Sequence, residues 1–318
     1  MKKALSLLLI FLGLLACCPG CSSESSSNSP SPSASQSPGS SGSSDTSPGK
    51  TGSSDHTKTG NISVSGSTAL QPLLTLAVDS FKSKTKFTGA ITINGGGSGQ
   101  GLLDVTTDAV DIASSDISPA QAGQEESGLV DHQVAVVSIG IVVSRDVADN
   151  LTDISTTDLK GIFTGAITDW SEVAGWKGSS LPIAVCYHKW GSGTRVIFET
   201  YGIMTPLGKD QIAACSNFSE IQSASNLDTA LETAKGTISY AAYPYCSSLS
   251  LLKVDGVEAT YENVYSGKYK LWACEHLYTK GEPTGAVKEF IDFLKASDFE
   301  KSITENGYGL ISEMKVSR

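Results

Sequence analysis

From Ile62 onward the apolar positions switch repeatedly between two spacings. Ile62 to Ser65 alternates apolar and polar side chains, the two-residue period of a strand. Leu70, Leu73, Leu74, Ala77 and Phe81 then recur at steps of three and four, which predicts an amphipathic helix over 69–82. Short apolar runs at Ile91–Ile93, Asp111–Ala113 and Leu181–Cys186, and a longer one at Val134–Val143, predict further strands. Val196, Ile197 and Phe198 fit a helix. Strands and helices in alternation imply α/β layering with mostly parallel sheets. No repeat of fixed period interrupts this order.

The pattern is absent before residue 61. Lys2 and Lys3 precede an apolar run from Leu5 to Leu15, and Leu14-Leu15-Ala16-Cys17 follows. Such a run is too short for a bilayer core, which takes ~20 residues. A positive start, a short apolar stretch and a small residue before a cleavage point describe a secretory signal over 1–16. Cys17 after Leu-x-Ala resembles a prokaryotic lipobox, in which that Cys is acylated and becomes the mature N-terminus. Cys18 and Cys21 are the other candidates. The remainder of 17–60 is rich in Ser, Pro and Gly and almost devoid of large apolar side chains. A segment of that kind buries too little surface to offset its ordering entropy and reads as a disordered tether. Its root-mean-square reach is about 35 Å. The folded body is therefore expected outside the cytoplasm, on the outer face of the membrane, held by lipid alone.

Charge and cysteine content narrow the picture. The 318-residue chain carries a formal charge of −10. It offers no basic surface to neutralise a phosphodiester backbone, so nucleic acid is not an expected partner. An anion would have to be captured by a local site rather than by the overall field. Cys186, Cys215, Cys246 and Cys274 lie in the body; in an oxidising compartment an even number predicts up to two disulfides, with free buried thiols as the alternative. All three pairings stay open.

Four segments place small hydroxyl residues and Gly at strand-to-helix junctions. Gly66-Ser67-Thr68-Ala69-Leu70 puts capping hydroxyls at a helix start, where free N–H groups favour an anion. Asn94-Gly95-Gly96-Gly97-Ser98-Gly99-Gln100-Gly101 lets the backbone approach a ligand and adds the Ser98 hydroxyl. It fits neither the dinucleotide fingerprint nor a P-loop, and Gln100 spoils a nucleophile elbow. Gly191-Ser192-Gly193-Thr194-Arg195 repeats the theme with a fixed cation. Ser114-Ser115-Asp116 contributes a carboxylate, which can only accept a hydrogen bond. Hydrogen phosphate has a proton to donate and sulfate has none, so Asp116 would discriminate between them.

In order and spacing these motifs resemble the phosphate-specific transport substrate-binding family, PstS. Phe163-Thr164-Gly165-Ala166-Ile167-Thr168-Asp169-Trp170, Gly236-Thr237-Ile238-Ser239-Tyr240 and Gly281-Glu282-Pro283-Thr284-Gly285 extend the likeness across Ile62 to Ile311. The resemblance implies a two-lobed periplasmic-binding-protein-like fold of type II, with two hinge strands and a ligand cleft between the lobes. Residues 61–143 and 271–318 would form lobe 1 and 144–270 lobe 2, with crossings near Val136–Ser144 and Leu271–Lys280. It also implies roles. Ser67, Thr68, Ala69 and Ser98 would face inorganic phosphate from one lobe and Asp116 would accept its proton. Ser192, Gly193 and Thr194 would donate from the other. The partners implied are the permease subunits of an ABC importer, for a monomer with no cofactor and no metal.

One departure stands out. The family commonly carries Arg three residues before the Gly of Gly-Ser-Gly-Thr, and this chain has His188 there. Arg has a permanent charge and a bidentate fork, whereas His is partly charged near neutrality. Arg195 or Lys189 could supply the fixed charge instead, and a bound dianion would favour protonated His188. Two rivals follow: the same fold serving another oxyanion, and an extracellular phosphoryl-handling enzyme. The second is disfavoured because His56, His132, His188 and His276 form no ligand pair at helical spacing.

Overall fold

The computed structural model describes residues 60–126, 128–222 and 226–318. The lipobox cysteine Cys17, its alternatives Cys18 and Cys21, the signal and nearly all of the tether lie outside them.

Among the described residues ten strands join in one connected sheet. They are β1 (Ile62–Gly66), β2 (Ile91–Gly95), β3 (Ile112–Ser115), β4 (Leu129–Val143), β5 (Asp153–Ile154), β6 (Ala184–His188), β7 (Phe218–Ile221), β8 (Thr237–Ala242), β9 (Ser250–Val254) and β10 (Trp272–Lys280). The order along the main path is β2-β1-β3-β10-β4-β8-β6-β7, with β9 joining β4 to β5. β1 pairs in parallel with β2 and β3, and β6 in parallel with β7 and β8. The parallel pairs are thus in the outer parts, and β4 and β10 run antiparallel through the middle.

β4 is the strand that links the halves. Its first part pairs with β10 as far as Ser138, and from Ile139 it pairs with β8. β4 thus changes pairing partner between Ser138 and Ile139. β10 lies wholly beside β3 and β4, so the return passage precedes Trp272. There the Leu271 carbonyl accepts from Ile139 N–H at 2.8 Å, and Tyr269 Oη donates to the Ile139 carbonyl at 2.7 Å. These bonds tie β4 to the segment that leads into β10.

Helix α1 (Gln71–Thr85) buries Leu73, Leu74, Ala77 and Phe81, the positions its spacing marked. Leu73, Leu74 and Phe81 each contribute roughly 1.5–3 kcal/mol of transfer free energy when fully buried, and Ala77 less. Phe81 packs among Phe87, Phe290 and Phe293 at ring separations of 5.3, 5.4 and 5.5 Å. The helix starts two residues later than its apolar period indicated, because Thr68–Leu70 form a turn. Helix α2 (Ser98–Thr106) follows the Gly-rich loop. In the second half, Trp170 of the Phe163–Trp170 stretch is buried, and its indole N–H donates to the Gly236 carbonyl at 2.9 Å. That motif therefore serves packing. No helix among the described residues is long and apolar enough to cross a membrane.

The strand read at Leu181–Cys186 begins later, at Ala184, because Leu181 and Pro182 are committed to the capped turn around Asp169. The disulfide expectation is corrected: Cys186, Cys215, Cys246 and Cys274 are all free thiols. Cys186 and Cys246 share one small apolar cluster with Val142, Ile221 and Ala241, and both thiols there are free. Cys246 Sγ lies against the backbone of Ala241 and Ala242, and Cys215 Sγ against the Gln211 carbonyl.

Candidate functional site

The four hydroxyl-bearing junctions converge. Ser67 ends the β1 turn, Ser98 opens α2, Asp116 follows β3, and Thr194 lies in the helix Gly193–Ile197 of the other half. All four side chains are buried. Asp116 is their meeting point. Its Oδ1 accepts from Ser67 Oγ, and its Oδ2 accepts from Thr194 Oγ1 at 2.9 Å. Its backbone N–H donates to Ser98 Oγ at 3.0 Å. The two carboxylate oxygens are therefore held by hydroxyls from opposite halves of the molecule.

Backbone contacts close the same seam. Gly99 N–H donates to the Gly191 carbonyl at 3.0 Å, and Tyr245 Oη donates to the Thr68 carbonyl at 2.8 Å. Gly97 has φ +96°, and a Cβ on it would stand 2.8 Å from the Gly191 oxygen. Only Gly allows both the left-handed backbone and the close approach of the other lobe.

Local chemistry explains each position. Ser67 Oγ accepts from the N–H groups of Ala69 and Leu70, both at 3.1 Å, so Ser67 rather than Thr68 caps the turn that leads into α1. The Ala69 carbonyl accepts from Tyr308 Oη. Ser192 Oγ caps the second helix by accepting from Arg195 N–H at 3.3 Å. Gly193 packs directly on the opposite lobe: a Cβ there would lie 2.4 Å from Ser98 Oγ and 2.9 Å from Asp116 Cβ. Burial pushes the Asp116 carboxyl above the usual range, and the Ser67 and Thr194 hydroxyls oppose that shift.

The two cation candidates are placed differently from expectation. His188 is buried and stacks on Tyr240 with ring centroids 4.9 Å apart; its Nε2 lies 2.9 Å from the Tyr240 carbonyl. Burial holds its pKa down at about 4, so the ring is neutral at neutral pH. The reading of His188 as a source of positive charge is corrected accordingly. Arg195 is buried as well. Its Nε donates to Glu199 Oε1 at 2.6 Å and its Nη1 to the His188 carbonyl at 3.0 Å, while the guanidinium lies 3.7 Å from the Trp190 ring centre. Nη2 alone has no hydrogen-bond partner. Glu199 offsets most of the charge that the sequence motif offered.

Sequence patterns matching the PBP superfamily domain extend over residues 50–298. The phosphate-binding protein PstS of Bacillus subtilis (strain 168) is 37% identical over 264 residues, which cover 82% of this chain and 84% of that protein. The chain belongs to the PstS family of phosphate ABC transporter substrate-binding proteins. Solved PstS-like structures agree in shape. One from Clostridium perfringens, described as a phosphate ABC transporter substrate-binding protein with bound phosphate, is 27% identical with a TM-score of 0.68. It is matched over 100% of its length by 79% of this chain. An ABC-type phosphate transport receptor from Vibrio cholerae shares the fold with a TM-score of 0.61 at 22% identity, over 78% of this chain and 99% of its own. The two-lobed α/β fold follows from both the family and these shapes.

Within this PstS fold, two groups at the seam were missed by motif reasoning. Tyr245 bridges the lobes from a 3-10 turn after β8. Glu275, on β10, is fully buried, and no donor reaches its carboxyl oxygens; the Asp116 carboxyl lies within hydrogen-bonding reach of it. The signal for Glu275 was present in the sequence. Trp272-Ala273-Cys274-Glu275-His276-Leu277 is an apolar run with a carboxylate at a position whose neighbours predict a core.

Proposed function

We propose that this protein captures inorganic phosphate between its lobes on the outer side of the cell membrane and passes it to the permease subunits of an ABC importer. The observation that carries the reading is Asp116, a buried carboxylate on which hydroxyls from both lobes converge. On entry of the ion, Ser67, Ser98 and Thr194 would turn their hydroxyls toward phosphate oxygens. The backbone N–H groups of Thr68, Gly193 and Thr194 would donate as well, and the helix capped by Ser192 would add its partial positive charge. Asp116 would then accept the phosphate O–H. Each charge-assisted bond of this kind contributes about 1.5–3 kcal/mol. Sulfate brings no proton at neutral pH and would leave two negative groups facing each other.

Arg195 keeps Nη2 buried and without a hydrogen-bond partner, so this nitrogen is the donor it could turn toward an anion. The His188 backbone carbonyl accepts from Arg195 Nη1, while its ring stays neutral against Tyr240. The site is thus built from neutral dipoles with a partly neutralised cation, which suits an anion that must also be released.

Delivery to a transporter needs attachment or retention near the membrane. Acylation at Cys17 with 18–60 as tether supplies it in this reading, supported by the Leu-x-Ala-Cys sequence. Metabolic labelling with a fatty acid, abolished by Cys17→Ala, tests the anchor; label retained in that variant moves it to Cys18 or Cys21. For the ligand, calorimetric titration with phosphate, arsenate and sulfate is the test. Saturable heat with phosphate and arsenate and none with sulfate is expected. Tight sulfate binding without phosphate binding would assign the fold to a different oxyanion.

A further inference from the structure

Glu275 has no role in the site as described so far, yet its position is unusual. It sits in the middle of β10, the strand beside both β3 and β4, and the register slips between Glu275 and His276. A bulge of this kind turns a side chain away from the direction that strict alternation would give it. The carboxyl is 0% exposed and no donor reaches either oxygen; its hydrogen-bonding neighbour is the Asp116 carboxyl, to which only a protonated Glu275 can donate. A buried polar group left unsatisfied costs about 1–3 kcal/mol, and an ionised one far more.

The groups that face it are few. Asp116 approaches from the turn after β3, and Cys274 is its neighbour along β10. Tyr245, Tyr261 and Tyr308 face it from the other elements packed around it. Each of these phenols has one proton, and each proton is committed elsewhere. Tyr245 donates to the Thr68 carbonyl, Tyr261 to the Gly307 carbonyl and Tyr308 to the Ala69 carbonyl. No Lys, Arg or His is among the groups acting on Glu275. A negative charge on Glu275 would therefore meet no compensating donor, and Asp116 would repel it. Burial first, and that repulsion second, push its pKa well above the ordinary carboxylate range. Asp116 has hydroxyl donors from Ser67 and Thr194, so of the two acids Asp116 is the one better able to carry the charge.

We propose that Glu275 is a specificity-determining member of the phosphate site, a neutral acid that holds one proton beside Asp116 and so limits the site to a single carboxylate charge. The inference rests on the reading of the cleft as a phosphate site. With Glu275 protonated, Asp116 remains the only anionic group the incoming ion meets, and it is free to accept the ligand's proton. When Glu275 loses its proton, two adjacent carboxylates face the ion and capture weakens. Binding of the anion and protonation of Glu275 then favour each other.

The test is phosphate titration of the full chain by calorimetry from about pH 6 to about pH 9.5, a window that covers buried glutamates documented at about 8–9. It is repeated in two buffers of different ionisation enthalpy, so that protons taken up on binding are counted. Wild type should lose about tenfold or more in affinity across the alkaline part of the range beyond what phosphate's own ionisation accounts for. It should also take up protons there. Glu275→Gln keeps the shape and cannot ionise; its affinity curve should lose that decline and its excess proton uptake should vanish. A variant curve that parallels wild type would overturn the proposal. So would a wild-type proton count that matches phosphate alone at every pH, which needs no variant to fold. Absence of phosphate binding by wild type at any pH would instead refute the phosphate reading itself.

Discussion

Gly193 offers a test of lobe closure that removes no polar group. It stands at the first turn of the Gly193–Ile197 helix, and a methyl on it would point across the seam into Ser98 Oγ at 2.4 Å and Asp116 Cβ and Cγ at 2.9 and 3.0 Å. Cβ contacts below about 3 Å do not occur without movement. The atoms in the way are not the ends of flexible chains: Ser98 is fixed at the start of α2 and Asp116 by its bonds to Ser67 and Thr194. Gly193→Ala should therefore hold the lobes apart or displace Asp116 when they meet. Overpacking of a close-fitting contact costs about 1–3 kcal/mol. At about 1.4 kcal/mol per tenfold, that is a loss of roughly 5- to 150-fold in phosphate affinity. The helical backbone there accepts Ala readily, so with the lobes apart the strain is relieved and the melting temperature without phosphate should hardly change. Calorimetry gives the affinity and thermal melts give the stability. Affinity within twofold of wild type would refute the seam geometry, and an equal fall in unliganded stability would show that the contact is a folding contact instead.

Other perturbations probe separate parts of the account. Asp116→Asn replaces a pure acceptor with a group that also donates; the ratio of phosphate to sulfate affinity should fall at least tenfold, and an unchanged ratio in competition calorimetry would remove Asp116 from ligand discrimination. Tyr245→Phe deletes the 2.8 Å bond to the Thr68 carbonyl and should weaken phosphate binding by up to about tenfold, read by the same titration. Because the folded-state pKa of His188 is about 4, below the ordinary 6.5, the folded protein disfavours its protonation. Stability from this group is complete above about pH 6.5 and falls as pH drops toward 4, by roughly 3 kcal/mol in all. Denaturant melts of wild type should show this acid loss and those of His188→Gln should show less of it. Alkylation of the denatured, unreduced chain should label Cys186, Cys215, Cys246 and Cys274 on every molecule; peptides joined through any of these cysteines would contradict their free state.

Much of this architecture was legible because its elements obey simple periods. The α1 stripe of Leu73, Leu74, Ala77 and Phe81 reports its own burial, and the Val134–Val143 run marks a strand covered on both faces. The hydroxyl-rich junctions were legible for a different reason. A Ser or Thr at a helix start is most often a plain cap, but four such junctions in one order, one of them with a carboxylate, let Ser67, Ser98, Asp116 and Thr194 be named before their convergence was known. What sequence could not give were relations set by tertiary packing. His188 stands where a charged ring was expected, yet the Tyr240 ring stacked on it and the surrounding apolar groups make it neutral. Arg195 looked like a free cation, but Glu199 lies one helical turn away and takes its Nε. Glu199 was visible at the i+4 position, and the pairing could have been read from it. The even cysteine count suggested bridges, yet all four thiols are free, Cys186 and Cys246 among them although they share one apolar cluster. Glu275 was a polar residue in an apolar strand, a pattern that asks for an explanation wherever it occurs.

The central claim is that hydroxyls and one carboxylate from opposite lobes enclose a single protonated phosphate. A crystal structure grown with phosphate tests it most directly. The account predicts one tetrahedral ion at the seam, with Ser67, Ser98 and Thr194 hydroxyls and an Asp116 oxygen all within hydrogen-bond distance of it. Phosphate bound away from Asp116, or lobes that close without admitting the ion between them, would contradict it.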